Sequence, residues 1–130
     1  MIGVVVVTHG SLASALIEAA EMTLGHQEMV RAVTFSRREG GEDLSSQMAR
    51  ALQDMSSLED ILILTDMKGG SAYNASRMLI SDDRRIHLIT GANLAVLLEV
   101  LILRKNTTDL KEVASLAAKK GRDNIAHIEG

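Results

Sequence analysis

Four consecutive valines, Val4 to Val7, run directly into Thr8-His9-Gly10-Ser11. β-Branched side chains favour an extended backbone, and an unbroken apolar run of this length reads as a buried strand. From Ser11 onward the apolar residues switch to helical spacing: Leu12, Ala15, Leu16, Ala19. Strand, short polar turn, helix is the first unit of an α/β fold. In open parallel sheets, ligands and chemistry sit just beyond the carboxyl ends of the strands, and His9 stands there. Gly10 and a candidate N-cap at Ser11 follow it at once.

The same alternation continues along the chain. The spacing predicts a first helix over residues 11–24, stopped by Gly25, and a second strand over 30–35. A polar loop with paired glycines, residues 36–43, precedes a second helix over 41–55. There Leu44, Met48, Ala51, Leu52 and Met55 share one face, and Glu42 and Asp43 suit the N-terminal end. The third strand is 60–65 and ends in Asp66-Met67-Lys68-Gly69-Gly70-Ser71. A third helix follows over 71–80, capped by Ser71 and broken by Ser81-Asp82-Asp83. A fourth strand over 86–90 leads through Gly91-Ala92-Asn93 into residues 94–103, which are apolar nearly all round. That pattern implies burial on more than one side, in the core or at a subunit interface. Thr108 or Asp109 can cap a last helix over 109–120, which Gly121 ends. The whole predicts one domain, residues 1–130. Its expected fold is doubly wound α/β, a mainly parallel sheet of about four strands in flavodoxin-like order, with helices on both faces.

Composition narrows the function. The formal net charge is −3, which gives no support to nucleic-acid binding, a task that wants a basic surface. With no cysteine, thiolate nucleophiles and Cys-ligated zinc are excluded. No Trp, one Phe and one Tyr make an aromatic stacking platform a poor expectation. No positive charge precedes the first apolar run, and that run is far too short to span a bilayer, so the expected location is cytoplasmic.

Two polar turns carry the chemistry: Thr8 to Ser11 after strand one, and Asp66 to Ser71 after strand three. If those strands are neighbours, the turns meet at the point where the strand order reverses. A carboxylate bonded to one imidazole nitrogen fixes the tautomer and frees the other nitrogen as nucleophile or base. Backbone N–H groups after Gly69-Gly70 suit an anion. Together they describe a histidine that receives and releases a phosphoryl group. Taken alone, Asp66 is equally well an N-cap and Gly69-Gly70 merely a turn. His26 lies in a connection, His87 inside strand four and His127 in the tail, none at a strand end. No metal-site spacing, nucleophile elbow or nucleotide loop is present, so no metal or other cofactor is expected.

Three segments, V-V-T-H-G-S-L-A from Val6, T-D-M-K-G-G-S-A-Y-N-A-S from Thr65 and T-G-A-N-L-A-V-L-L-E from Thr90, resemble the enzyme IIA component of the mannose family of the sugar phosphotransferase system. The resemblance covers essentially the whole chain. It implies a homodimeric phosphocarrier whose His9 accepts a phosphoryl group from the phosphocarrier protein HPr. A histidine of a IIB component then takes the group, and a membrane IIC/IID complex imports the sugar. It further implies that Asp66 orients His9, and that Ser71 with the backbone around Gly70 holds the phosphoryl oxygens, next to Gly10 and Gly69. Ala72 and Ala95 stand where the family usually has Pro, and Lys68 where it has an apolar or aromatic residue. Two other readings use the same residues: the phosphocarrier subunit of a dihydroxyacetone kinase-type system, and a regulatory module whose phosphorylation state a partner reads.

Overall fold

A computed structural model describes residues 1–36, 41–80 and 85–130, with the backbone alone at 41 and 42. The elements in order are β1 (Ile2–His9), α1 (Leu12–Leu24), β2 (Val30–Phe35), α2 (Gly41–Asp54), β3 (Asp60–Thr65), α3 (Ser71–Arg77), β4 (Arg85–Thr90), α4 (Leu94–Leu103) and α5 (Leu110–Asp123). The strands form one parallel sheet in the order β2-β1-β3-β4, the flavodoxin-like arrangement expected from the sequence. The order reverses between β1 and β3, which are hydrogen-bonded neighbours. The turns after these strands therefore lie side by side.

β1 is buried on both faces, which is why it shows no apolar–polar alternation. Val4 and Val6, with Leu62 and Leu64 of β3, pack under α1, α4 and α5. Val5 and Val7, with Ile61 and Ile63, pack against α2 and α3 on the other face. α4 uses its apolar circumference on two helical neighbours, α1 and α5, with Val96, Leu97, Val100 and Leu101 buried. A core position thus accounts for its composition. Arg104, just past α4, is 6% exposed. Its guanidinium donates to the carbonyls of Ile2 (3.1 Å), Glu28 (2.7 Å) and Met29 (3.4 Å) and to Gln27 Oε1 (3.3 Å). Burial pulls its pKa down and the charge of Glu28 acts the other way.

The helix ends depart from expectation in instructive ways. Ser11 occupies the N-cap position of α1, but its side chain caps nothing. Thr8 does that work from within β1, its Oγ1 accepting the Ala13 N–H at 2.6 Å. At α3 the N-cap is Gly70 rather than Ser71, which is the first helical residue, and the helix closes at Arg77. Asn93 caps α4 by accepting the Val96 N–H, and Asp109 rather than Thr108 caps α5. Gly25 ends α1 as expected, at φ +79°. Residues 37–40 of the paired-glycine loop, the Glu42 side chain and the predicted break at 81–83 lie outside the described residues.

Gly121 does not end α5; the helix runs on to Asp123. The glycine is there for contact. A Cβ at this position would collide with the buried side chain of Val96, and Asn93 Nδ2 donates to the Gly121 carbonyl at 3.1 Å. Val96 is β-branched and has no spare rotamer in a helix. Gly121→Ala therefore forfeits the usual gain of about 1 kcal/mol in helix propensity and destabilises the protein by about 1–2 kcal/mol through overpacking. Urea unfolding of the two proteins, read at constant m-value, checks this.

Candidate functional site

His9 is the last residue of β1 and the first that leaves the core: Thr8 is 1% exposed, whereas the His9 side chain is 50% exposed. Parallel pairing sets β3 alongside, so Asp66, the residue after β3, comes up beside it. One carboxylate oxygen of Asp66 does two jobs. Its Oδ2 accepts the His9 main-chain N–H at 3.0 Å and lies 2.8 Å from His9 Nδ1. A carboxylate is acceptor-only when ionised, so the short contact selects the tautomer with the proton on Nδ1. Nε2 then carries the free lone pair. Asp66 is only 13% exposed. Burial by itself raises its pKa, but the hydrogen bonds from the His9 backbone and ring, with the charge of His9, outweigh it and leave the pKa lowered.

Two glycine turns frame the ring. Gly10 takes φ +55°, a region that favours glycine, and donates its N–H to the Phe35 carbonyl at 2.7 Å. Gly69 takes φ +83°. A Cβ on Gly70 would lie 3.4 Å from both His9 Cε1 and Met67 Cγ, so this turn runs alongside the imidazole. Ser71 follows at the exposed first position of α3. The structure thus brings His9, Asp66, Gly10, Gly69, Gly70 and Ser71 to one end of the sheet, around a half-exposed imidazole.

The remaining candidates lie elsewhere. His26 pairs with Glu21 at 3.0 Å on the surface beyond α1. His87 lies along β4 in a groove with Lys68, Tyr73, Arg77 and Thr90. His127 is exposed in the segment after α5. Among the described residues no three His, Asp or Glu side chains converge as a metal site. No described helix is long and apolar enough to cross a membrane. Sequence reasoning missed Phe35, whose ring packs on that of His9 with centroids 4.7 Å apart at 45°. The signal was its place at the end of the second strand, one strand over from His9.

Comparison with known proteins places the whole chain. The family model described as "PTS system fructose IIA component" matches residues 3–118. The chain is 38% identical over 106 residues to the fructose-specific EIIA component of Bacillus subtilis, covering 82% of this chain and 73% of that one. It is 33% identical over 128 residues to the mannose-specific EIIAB component of Escherichia coli K12, across 98% of this chain; it spans only 40% of the length of that protein. The crystal structure of the phosphotransferase system component EIIA from Streptococcus agalactiae superposes with a TM-score of 0.90 at 26% identity, covering 98% of this chain and 97% of that one. With a family model that matches most of the chain, relatives above 30% identity and a shared fold, the chain belongs to the mannose-type enzyme IIA family of the sugar phosphotransferase system.

Proposed function

We propose that the 130 residues act as a single enzyme IIA domain, a cytoplasmic phosphocarrier that takes a phosphoryl group from phospho-HPr onto His9 and passes it to a histidine of a IIB component. One observation carries this reading: the 2.8 Å contact between His9 Nδ1 and Asp66, which leaves Nε2 free at the half-exposed end of the central strand. The Nε2 lone pair attacks phosphorus and the new N–P bond forms. The donor's N–P bond breaks, its electron pair returning to the donor imidazole. The His9 ring, now bonded at Nε2 and protonated at Nδ1, carries a positive charge that the Asp66 carboxylate offsets. Backbone N–H groups of Gly69, Gly70 and Ser71, with the Ser71 hydroxyl, are the donors proposed for the phosphoryl oxygens, while the Gly10 N–H is held by the Phe35 carbonyl and Gly10 shapes the turn. Catalysis of this kind is positioning plus fixed dipoles. The return step to IIB is the same reaction reversed, so a site that binds the phosphoryl group moderately serves both directions.

Incubation with phospho-HPr labels wild-type protein with one acid-labile, alkali-stable phosphoryl group, and His9→Ala takes none. Full labelling of that variant overturns the assignment. Asp66→Asn stays folded but accepts phosphate about 10²–10⁴-fold more slowly, because an amide no longer enforces the Nδ1–H tautomer. The pair also leaves a mark on stability. The folded pKa of Asp66 lies below its unfolded value of about 3.9, so its contribution is fully present above that pH and is lost as pH falls through the folded value. The stability gap between wild type and Asp66→Asn therefore shrinks as pH falls below about 3.9.

A homodimer is part of the proposal. β4 pairs only with β3 among the described residues, leaving an open edge beside a groove that contains Ile80, Ile86 and Leu88. Beyond α5, Ile125 and Ile128 are 75% and 83% exposed, more apolar surface than a short tail keeps in water without a partner. Sedimentation at micromolar concentration gives about twice the 14.0 kDa chain mass, and removal of residues 125–130 shifts the equilibrium to monomer. A 14.0 kDa species alone in the full-length protein refutes the dimer.

A further inference from the structure

We infer that Phe35 is a positioning residue for His9: its ring holds the imidazole in the attacking orientation and thereby sets the rate of phosphoryl transfer. The inference deepens the phosphocarrier reading and rests on it. Phe35 closes β2 and is the register partner of His9 in the adjacent strand, so both side chains rise from the same face of the sheet. The two rings lie 4.7 Å apart and tilted by 45°, an arrangement between stacked and edge-on that aromatic pairs favour over a flat sandwich. Phe35 also holds the turn through its main chain, its carbonyl accepting the Gly10 N–H at 2.7 Å. Its own position is fixed, since it packs against the core cluster that contains Val5, Val7, Val33 and Leu44.

The need for such a wall follows from exposure. The His9 side chain is half exposed, so water competes for its one side-chain hydrogen bond, and an imidazole on a single hinge swings outward readily. Asp66 fixes the ring at Nδ1, and the Gly70 turn closes toward Cε1. Neither blocks rotation toward β2. Phe35 stands on that side, its ring centroid 4.7 Å from that of His9. An aromatic neighbour has a second effect: its π-electrons favour the positively charged ring formed on phosphorylation.

Phe35→Leu keeps apolar packing and removes the aromatic wall; Phe35→Tyr restores it. ¹⁵N-histidine NMR of the unphosphorylated proteins reads the His9 ring directly. The wild type shows one tautomer with the proton on Nδ1. In Phe35→Leu the His9 signals move toward an averaged tautomer while those of His87 and His127 stay put, and Phe35→Tyr returns them. Phosphorylation by phosphoramidate, a small donor with no docking surface, slows about tenfold in Phe35→Leu, and kcat with phospho-HPr falls by a similar factor at unchanged KM. Unchanged His9 signals and rates in Phe35→Leu overturn the inference and leave Phe35 a core residue. A raised KM at unchanged kcat also overturns it, since Phe35 is then part of the donor's docking surface. If phospho-HPr fails to label even the wild type while the His9 signals still depend on Phe35, the phosphocarrier reading falls and the ring-holding role stands.

Discussion

A strand that is buried on both faces must surface somewhere, and where β1 surfaces the site begins. Ile2 and Val4 through Thr8 are at most 1% exposed. The burial of those side chains locks the strand in place, since a shift of one residue would turn every valine to the wrong face. His9 inherits this rigidity while keeping half its surface open. A catalytic group on a flexible loop would have to be ordered at each encounter; here the cost is met once, in folding.

The forces at the site are individually modest. A half-exposed ion pair is worth about 0–1 kcal/mol, and an aromatic pair adds about 0.5–1.5 kcal/mol beyond its buried area. What makes the arrangement specific is that these interactions converge on one ring from different sides, on supports that do not move. Asp66 sits on the strand next to β1, Phe35 on the strand at the other side, and the Gly70 turn above. The imidazole is therefore restrained by three neighbours of β1 rather than by one strong bond. On the proposed phosphocarrier reading, weak and well-placed contacts suit a group that is taken up and given up with equal ease.

Much of this was legible in the chain. The valine run announced β1, the change of period at Ser11 announced α1, and polar turns after strands one and three marked His9 and Asp66. The doubly wound order followed from alternation, because parallel strands need crossovers of helical length. What stayed hidden depended on contacts between residues distant in sequence. Gly121 looked like a helix stop because glycine usually is one; only the approach of Val96 shows why it sits inside α5. Ser11 and Ser71 looked like caps by position, yet Thr8 reaches the Ala13 N–H first and Gly70 takes the cap of α3. Phe35 drew no notice as the last residue of the second strand, since nothing local says that β2 ends level with His9. The apolar circumference of α4 fitted two explanations until α1 and α5 were seen on either side of it.

Arg104 has a bearing on how the chain comes together in time. The residues it binds, Ile2, Gln27, Glu28 and Met29, precede it by 75 to 102 positions. During synthesis β1 and the connection that leads into β2 leave the ribosome long before the donor that binds Ile2, Glu28 and Met29 exists. The amino-terminal half therefore emerges as an unfinished sheet, with its central strand awaiting helices that are encoded last. Contacts of such high sequence separation are of the kind that slow folding. The active end, formed by β1, β2 and β3, is complete in sequence by Ser71, yet it gains a rigid base only when residue 104 docks at the opposite end of the sheet.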